Sequence, residues 1–324
     1  MKTTAFATGL IAGTMVATAA FGASAPGYPS RVIRLISPYA PGGGTDIVAR
    51  TVSQKLTEAL GQSVIVDNRP GAGGVVGTEI AAKAAPDGYT ILLGSPSPLT
   101  VAPHLYKKLP YDPLKDLTPI SLIAIVPNIL AVHPSLPVRS VKDLIALAKA
   151  RPGQLTFSSS GNGGSGHLAG EIFKSMAGVD LIHVPYRGTA PAATALLSGE
   201  VSMSFGNVVA FMPQVKAGRL HAIALTSAKR APALPDLPTV AETIPGYAAG
   251  TWSGILAPAG TPPEIIARLN AELVKIPQLP AIKDQINSEG GTPVGSTPEE
   301  FAAYLRQETA RLEKIIREAK IRVD

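Results

Sequence analysis

The chain has 324 residues, of which 45% are hydrophobic and 16% are charged, as is typical of a globular protein with room for two domains. Its formal net charge is +6, but the basic residues are spread out and no basic patch with interleaved aromatics is present, so nucleic acid is not an expected partner. The chain has no cysteine, which excludes disulfides, thiol catalysis and cysteine-ligated metal sites.

The N-terminus has the features of a signal peptide. Lys2 supplies positive charge, residues 5–21 are apolar and mostly small, and Ala23-Ser24-Ala25 provides a small-x-small cleavage signal. Cleavage slightly earlier is an alternative, because a proline follows this signal. The apolar run is too short and too poor in large aliphatic residues for a membrane anchor. The pattern predicts that residues 1–25 are removed and that the mature protein is exported.

A glycine turn between a strand and a helix is the most informative stretch. Residues 31–36 (R-V-I-R-L-I) predict a strand, and apolar residues three or four apart over 48–59 predict a helix. Between them, Gly42, Gly43 and Gly44 let a ligand approach the backbone. The unpaired N–H groups of the helix N-terminus favour an anion there. No lysine follows the glycines, so a Walker A loop is excluded. A carboxylate fits this site, and a tight turn without a ligand is the alternative.

Strands and helices alternate along the rest of the chain. Further strands are predicted at residues 62–66, 89–93, 120–126, 129–133, 155–158, 181–184, 201–205, 221–226 and 252–257. Helices are predicted at residues 75–84, 141–150, 167–176, 263–275, 281–287 and 298–320, and in a segment that ends at residue 197. Pro127 and Asn128 separate two aliphatic runs, a pair suited to carry the chain from one domain to the other.

Glycine and small polar residues follow several of these strands. They lie at residues 67–74, 94–97, 159–167 and 185–191, and near Asn207. The alternation predicts an α/β fold with parallel sheets, which bind ligands at the carboxyl ends of their strands. The turns fall into two groups, one before residue 100 and one between 158 and 207. Two lobes that face a cleft are therefore expected.

A dinucleotide site is one alternative for the second group. Gly161-x-Gly163-x-x-Gly166 matches the dinucleotide fingerprint, and Asp180 lies 19 residues after Gly161. The strand before it is short, rich in serine and in the middle of the chain. A single match of this kind is weak evidence.

A hydrolase site is a second alternative, built on Ser165 and His167. No G-x-S-x-G elbow is present, and residues two positions apart do not face each other on a helix. A helix cap and a packed histidine explain the pair equally well. The five histidines show no metal-binding spacing, so no metal site is expected. Arg187, beside a Gly-Thr turn, is suited to clamp a carboxylate, and an ordinary surface arginine is its alternative.

Eight motifs occur in one order and span essentially the whole mature chain. They are PYAPGGGTD (38–46), NRPGAGG (68–74), PDGYT (86–90), GNGGSGHLAGE (161–171), HVPYRGTAPA (183–192), LPDLPTVAE (234–242), PGY (245–247) and GTP (260–262). With these motifs the sequence resembles the Bug family, the periplasmic solute receptors of tripartite tricarboxylate transporters.

The resemblance implies a two-lobed type II periplasmic-binding-protein fold of the α/β class, with a ligand cleft between the lobes. Residues 1–25 would be the signal peptide, 26–124 with 227–324 lobe 1, and 125–226 lobe 2. It implies a periplasmic, monomeric, non-enzymatic protein without a cofactor. A small organic carboxylate would lie between the lobes, held mainly by backbone amides and bridging water, and membrane transporter subunits would be the partners.

The same resemblance places the binding residues on the first-lobe loop, on the turn after the third strand, and on three loops of the second lobe. They are Tyr39, Pro41, Gly42, Gly43, Gly44, Thr45, Asp46, Ser95, Ser97, Ser159, Ser160, Gly163, Gly164, Ser165, His167, Arg187, Thr189, Ala190 and Asn207. Many members carry an acid near Ser204 or Asn207, and this chain does not. A neutral site there fits a ligand without an amino group.

The leading hypothesis is a binding protein that captures a small organic carboxylate and delivers it to a membrane transporter. A sensory receptor that passes its ligand-bound form to a signalling partner is the first alternative, and sequence alone does not separate the two. The second alternative is an exported α/β hydrolase that uses Ser165 and His167.

Overall fold

The computed structural model describes residues 27–42, 44–186 and 188–318. The predicted signal peptide lies outside these residues. The strands are β1 (Ile33–Ser37), β2 (Val64–Asn68), β3 (Thr90–Gly94), β4 (Leu117–Val132), β5 (Thr156–Ser159), β6 (Ile182–Pro185), β7 (Met203–Asn207), β8 (His221–Leu225), β9 (Gly250–Pro258) and β10 (Thr292–Pro293). The helices are α1 (Gly44–Leu60), α2 (Val75–Ala82), α3 (Ala102–Leu105), α4 (Val141–Ala150), α5 (Ser165–Ala177), α6 (Thr189–Leu197), α7 (Val208–Lys216), α8 (Pro263–Leu273), α9 (Pro280–Ser288) and α10 (Pro298–Glu318).

The strands pair in the order β2-β1-β3-β9-β4-β7-β5-β6, and β8 and β10 also pair with β4. β1 is parallel to β2 and β3, and β5 is parallel to β6 and β7, as the alternation of strands and helices predicts. β9 is antiparallel to β3 and β4, and β4 is antiparallel to β7, β8 and β10. The sheet is therefore mixed rather than parallel. β4 and β9 take their direction from tertiary pairing rather than from a crossover helix, so local alternation does not predict it.

β4 is the strand that joins the two lobes. It is one strand of 16 residues, not the two runs that the sequence suggested. From Leu117 to Pro127 it pairs with β9, and from Asn128 onward it pairs with β7 and β8. Proline cannot donate to a ladder, and Pro127 stands where the partner changes, a position where proline is tolerated. We call β1–β3, β9, β10 and their helices lobe 1, and β5–β8 with their helices lobe 2.

Each lobe encloses a core of aliphatic and aromatic side chains. Ile33, Val52 and Ile91 belong to the core of lobe 1, between its sheet and helices α1 and α8. Lobe 2 is centred on the phenylalanines of β5, α5 and β7, and Tyr247 and Leu312 from the C-terminal part of the chain pack into the same core. The C-terminal segment therefore packs against lobe 2 as well as lobe 1.

Across residues 27–42, 44–186 and 188–318, the structure has no helix that combines the length and the apolar character needed to span a bilayer.

Candidate functional site

The carboxyl ends of β1, β2 and β3 are tied together by side chains. The Tyr39 Oη lies 2.7 Å from the Ser95 Oγ, just after β3. At the end of β2, the Asn68 Nδ2 donates to the Tyr39 carbonyl at 3.0 Å. Burial raises the pKa of Tyr39, so this side chain is a neutral phenol that can donate or accept a hydrogen bond. The three strand ends thus form one platform of polar groups.

The buried Asp46 carboxylate stabilises the first-lobe loop through hydrogen bonds. Its side chain is 3% exposed. Its Oδ2 accepts from the Gly42 N–H at 3.0 Å and from the Arg50 Nε at 2.8 Å, and its Oδ1 accepts from the Asn68 Nδ2 at 2.9 Å. Burial alone would raise the pKa of Asp46, but the hydrogen bonds from Arg50, Gly42 and Asn68 outweigh it and lower the pKa. Asp46 is therefore an ionised carboxylate whose two oxygens both have partners.

The N-terminus of α1 faces open space. A Cβ added at Gly42 or Gly44 would meet no protein atom within 4 Å, and Gly42 has the positive φ of 86° that favours glycine. Pro41 is exposed and Thr45 is half-buried beside them. Gly43 lies outside the described residues. This 17-residue helix therefore presents its first N–H groups and its positive dipole end to any anion that enters.

A second lobe-1 loop, residues 71–74, borders the same space. Its four residues all have positive φ, from 46° at Ala72 to 145° at Gly71. A Cβ at Gly74 would lie 3.3 Å from the Tyr39 Oη, and one at Gly73 would lie 3.1 Å from the Ser97 Oγ. The sequence predicts a glycine turn here, but the predicted binding residues do not include this loop. The repeated glycines in NRPGAGG were the signal that pointed to it.

The glycine loop of lobe 2 rests on two stacked histidines. The His167 and His183 rings have centroids 4.0 Å apart and planes at 14°. The Gly163 N–H donates to the His167 Nδ1 at 3.0 Å, and the Ser159 Oγ lies 2.7 Å from the His183 Nε2. Burial lowers the pKa of both rings, and that of His183 falls to about 3. Neutral imidazoles therefore hold the loop, and the predicted residues Gly163 and His167 bond to each other.

Ser165 and His167 have different partners. The Ser165 Oγ donates to the Asn128 Oδ1 at 3.3 Å, whereas the His167 Nδ1 accepts from Gly163. The His167 Nε2 lies 4.0 Å from the Glu171 Oε1. Among the hydrogen bonds of the described residues, none joins this serine to this histidine, which is the contact that a hydrolase would need.

The remaining predicted residues lie around the same loops. The Ser160 carbonyl accepts from the Gly188 N–H at 3.2 Å, and Gly164 directly precedes α5. Thr189 and Ala190 form the first turn of α6, and the Asn207 Oδ1 accepts from the Val209 N–H at 2.8 Å and so caps α7. Arg187 lies outside the described residues.

The loops of the two lobes meet across the cleft. A Cβ at Gly163 in lobe 2 would lie 3.7 Å from the Ser97 Oγ in lobe 1, which is ordinary van der Waals contact. The described part of the chain holds no cluster of three or more His, Asp or Glu side chains suited to a metal ion. The cleft therefore offers backbone N–H groups, hydroxyls and the helix N-terminus of α1 as binding groups.

Comparison with known proteins identifies this arrangement. The sequence profile described as "Tripartite tricarboxylate transporter family receptor" matches residues 48–321. Protein BugT of Bordetella pertussis is 40% identical over 312 residues, which cover 95% of this chain and 96% of that protein. A solved structure of R. palustris Rpa4515 with adipate is 39% identical and has a TM-score of 0.83, over 91% of this chain and 99% of that chain.

MatC from Rhodopseudomonas palustris with bound malate is 30% identical and has a TM-score of 0.78, over 89% of this chain and 100% of that chain. The family and these neighbours are solute-binding receptors rather than enzymes. Their two-lobed α/β fold is that of periplasmic binding proteins. The chain belongs to the receptor family of the tripartite tricarboxylate transporters, as its resemblance to the Bug proteins indicated.

Proposed function

We propose that this protein binds a small organic dicarboxylate in the cleft and delivers it to the membrane subunits of a tripartite tricarboxylate transporter. The observation that carries the proposal is the uncovered N-terminus of α1, beside Gly42 and Gly44, in a receptor of this family. A carboxylate suits that end of a helix. Adipate and malate in two neighbours support a ligand with two carboxylates.

The ligand lacks an ammonium group. Asp46 is buried, and its charge is already shared with Gly42, Arg50 and Asn68 inside the loop. The cleft loops of lobe 2 present the neutral Asn207, which caps α7. An ammonium group would therefore be desolvated in the cleft without a counter-charge. Carboxylates without an amine are favoured over amino acids of the same length.

The proposal also includes the binding residues, the lobe boundaries, export and the monomeric state. The binding residues are those predicted on the loops at 39–46, 95–97, 159–167, 187–190 and at Asn207, with loop 71–74 added. Lobe 1 comprises residues 26–124 and 227–324, and lobe 2 comprises residues 125–226. Residues 1–25 are removed on export to the periplasm, and the mature protein is a monomer.

A thermal-shift panel tests the proposal. It pairs adipate with 2-aminoadipate and malate with aspartate, so that each pair compares a carboxylate with an amine-bearing relative. A ligand at one hundred times its Kd stabilises the folded state by about 2.7 kcal/mol, which raises Tm. We expect adipate or malate to raise Tm more than its amine-bearing partner, and the ligand to be recovered unchanged by mass spectrometry. A larger shift with the amino acids, or chemical turnover, would contradict the proposal.

Uptake separates delivery to a transporter from sensing. Deletion of the gene should abolish uptake of the radiolabelled carboxylate found in the panel, and restoring the gene should restore it. Normal uptake combined with loss of a transcriptional response to that carboxylate would favour the sensory receptor instead.

A further inference from the structure

Asn128 lies where β4 passes from lobe 1 to lobe 2, and its backbone is fixed there. The Asn128 N–H donates to the Thr226 Oγ1 at 2.7 Å, and its carbonyl accepts from the Thr226 N–H at 2.9 Å. The residue is 4% exposed. Its side chain contacts the start of α5 in lobe 2, where it bonds Ser165.

The carboxamide of Asn128 is half satisfied. Its Oδ1 accepts from the Ser165 Oγ at 3.3 Å, a long hydrogen bond. Its Nδ2 is buried and has no hydrogen-bond partner among the residues that the structure describes. A buried donor without a partner costs about 1–3 kcal/mol. Such a group calls for a hydrogen-bond partner.

Rotation of the carboxamide by 180° gives the Nδ2 a partner and leaves the Oδ1 in the position without one, and a carbonyl oxygen tolerates this better than an N–H does. The Nδ2 then takes the place of the Oδ1 and donates to the Ser165 Oγ, because a hydroxyl oxygen accepts as well as donates. Ser165 has one hydrogen, and this rotation releases it from Asn128. Ser165 is partly exposed at the N-terminus of α5, next to the glycine loop of lobe 2. Its hydrogen can therefore point to an anion in the cleft.

We propose that Asn128 is a positioning residue for ligand binding: its amide N–H donates to Ser165, and Ser165 donates to a carboxylate of the ligand. This inference rests on the proposed carboxylate function. Consecutive hydrogen bonds that point toward an anion strengthen one another. Carboxylate binding therefore favours the rotated carboxamide, in which Asn128 donates to Ser165 and Ser165 donates to the ligand. In the structure, Ser165 donates to Asn128.

A double-mutant cycle tests the inference with adipate and malate as probes in isothermal titration calorimetry. Asn128→Leu removes the donor, Ser165→Ala removes the hydroxyl, and a third protein carries both changes. We expect each single change to weaken binding about tenfold and the double change to weaken it no further, because the two residues act through one contact. Additive losses, or full affinity in Asn128→Leu, would overturn the inference.

Asn128→Asp keeps the shape of the side chain and is the matched variant. An ionised carboxylate only accepts, so it holds the Ser165 hydrogen and repels the ligand. We expect a loss of about a hundredfold in affinity in addition to the lower Tm that a buried carboxylate causes, whereas a purely structural role would lower Tm and leave affinity intact. As a second measurement, the Asn128 side-chain amide signal in a ¹⁵N–¹H spectrum, identified by its loss in Asn128→Asp, should shift with adipate or malate. It should not shift in Ser165→Ala.

If the wild type binds neither probe nor any other carboxylate of the panel, the proposed function fails and this inference fails with it. Binding by the wild type with equal binding by the Asn128 variants overturns the inference alone.

Discussion

Asp46 is an acid that lies beside the proposed carboxylate site. Its carboxylate is shared among the Gly42 N–H, Arg50 and Asn68, which disperse the negative charge over internal partners. The acid thereby fixes the loop that leads into α1. We expect its contribution to binding to be the shape of that loop rather than a contact with the ligand.

Replacement of Asp46 by Asn should lower the stability of the protein. The amide group cannot accept from all three donors, so one partly buried N–H loses a hydrogen bond to a charged group, at a cost of about 1.5–3 kcal/mol. Urea unfolding measures this loss, and Arg50→Gln is the control, since it removes a partner with an exposed side chain and should cost less. Unchanged stability with lost affinity would instead place Asp46 in contact with the ligand.

The stacked histidines give the second residue-scale prediction, a dependence of stability on pH. The pKa of His183 is lowered to about 3 in the folded protein, from an ordinary value of 6.5. The unfolded chain therefore gains a proton first as pH falls, so the stabilisation is complete above pH 6.5 and is lost as pH falls toward about 3.

His183→Gln removes this titration and keeps an amide that can bond Ser159. We expect its free energy of unfolding to fall less steeply than that of the wild type between pH 6.5 and pH 5, a range above the titration of most carboxylates. Parallel curves for the two proteins would show that His183 titrates normally.

At the scale of elements, the site consists of strand ends followed by glycine turns and helix N-termini. The start of α1 is open, because Gly44 has no protein atom near the position of a Cβ. A side chain placed there would meet no protein atom, so we expect it to contact the ligand instead. A change at Gly44 is therefore expected to alter ligand affinity without altering the stability of the fold.

Substitution of Gly44 should therefore reduce affinity in proportion to size. We expect Gly44→Ala to have a small effect and Gly44→Val to weaken binding more than tenfold, about 1.4 kcal/mol, with Tm unchanged in the absence of ligand. Calorimetry with the best carboxylate of the panel measures this. Wild-type affinity in a folded Gly44→Val protein would show that no ligand lies against α1.

The local elements could be predicted from the sequence, and their tertiary pairing could not. The strand at 31–36 and the helix after it correspond to β1 and α1, because their periodicity is local. The sequence predicts two aliphatic runs in place of β4, because Pro127 indicates a break. A change of pairing partner along one strand produces no recognisable sequence pattern. In the site, the contact of Asn68 with Asp46 depends on the pairing of β1 with β2, so it follows only from the fold.

At the scale of the whole molecule, a buried hydrogen-bonded junction lies where β4 passes from one lobe to the other. The Thr226 hydroxyl lies 3.0 Å from the Asn128 carbonyl and 2.7 Å from the Ala249 carbonyl, and it accepts from the Asn128 N–H. These three contacts join β4 to the segments that follow β8 and precede β9. The junction is buried, and the hydroxyl accepts from the Asn128 N–H while its single hydrogen donates to one of the two carbonyls.

Removal of that hydroxyl should weaken the junction. Thr226→Val has the same shape and leaves buried backbone groups without partners, so we expect a loss of about 1–3 kcal/mol in the free energy of unfolding. Thr226→Ser keeps the hydroxyl and should lose less. Urea unfolding of both variants makes the comparison, and equal losses would show that the methyl group matters rather than the hydrogen bonds.

We expect the cleft to hold one small carboxylate and to return it unchanged. Native mass spectrometry of the purified protein, before and after incubation with adipate and malate, tests it most directly. We predict a complex of one protein with one carboxylate, whose bound mass equals that of the free acid and which is reduced in Gly44→Val. A protein that carries no carboxylate under any of these conditions, or that releases a chemically altered one, would contradict the account.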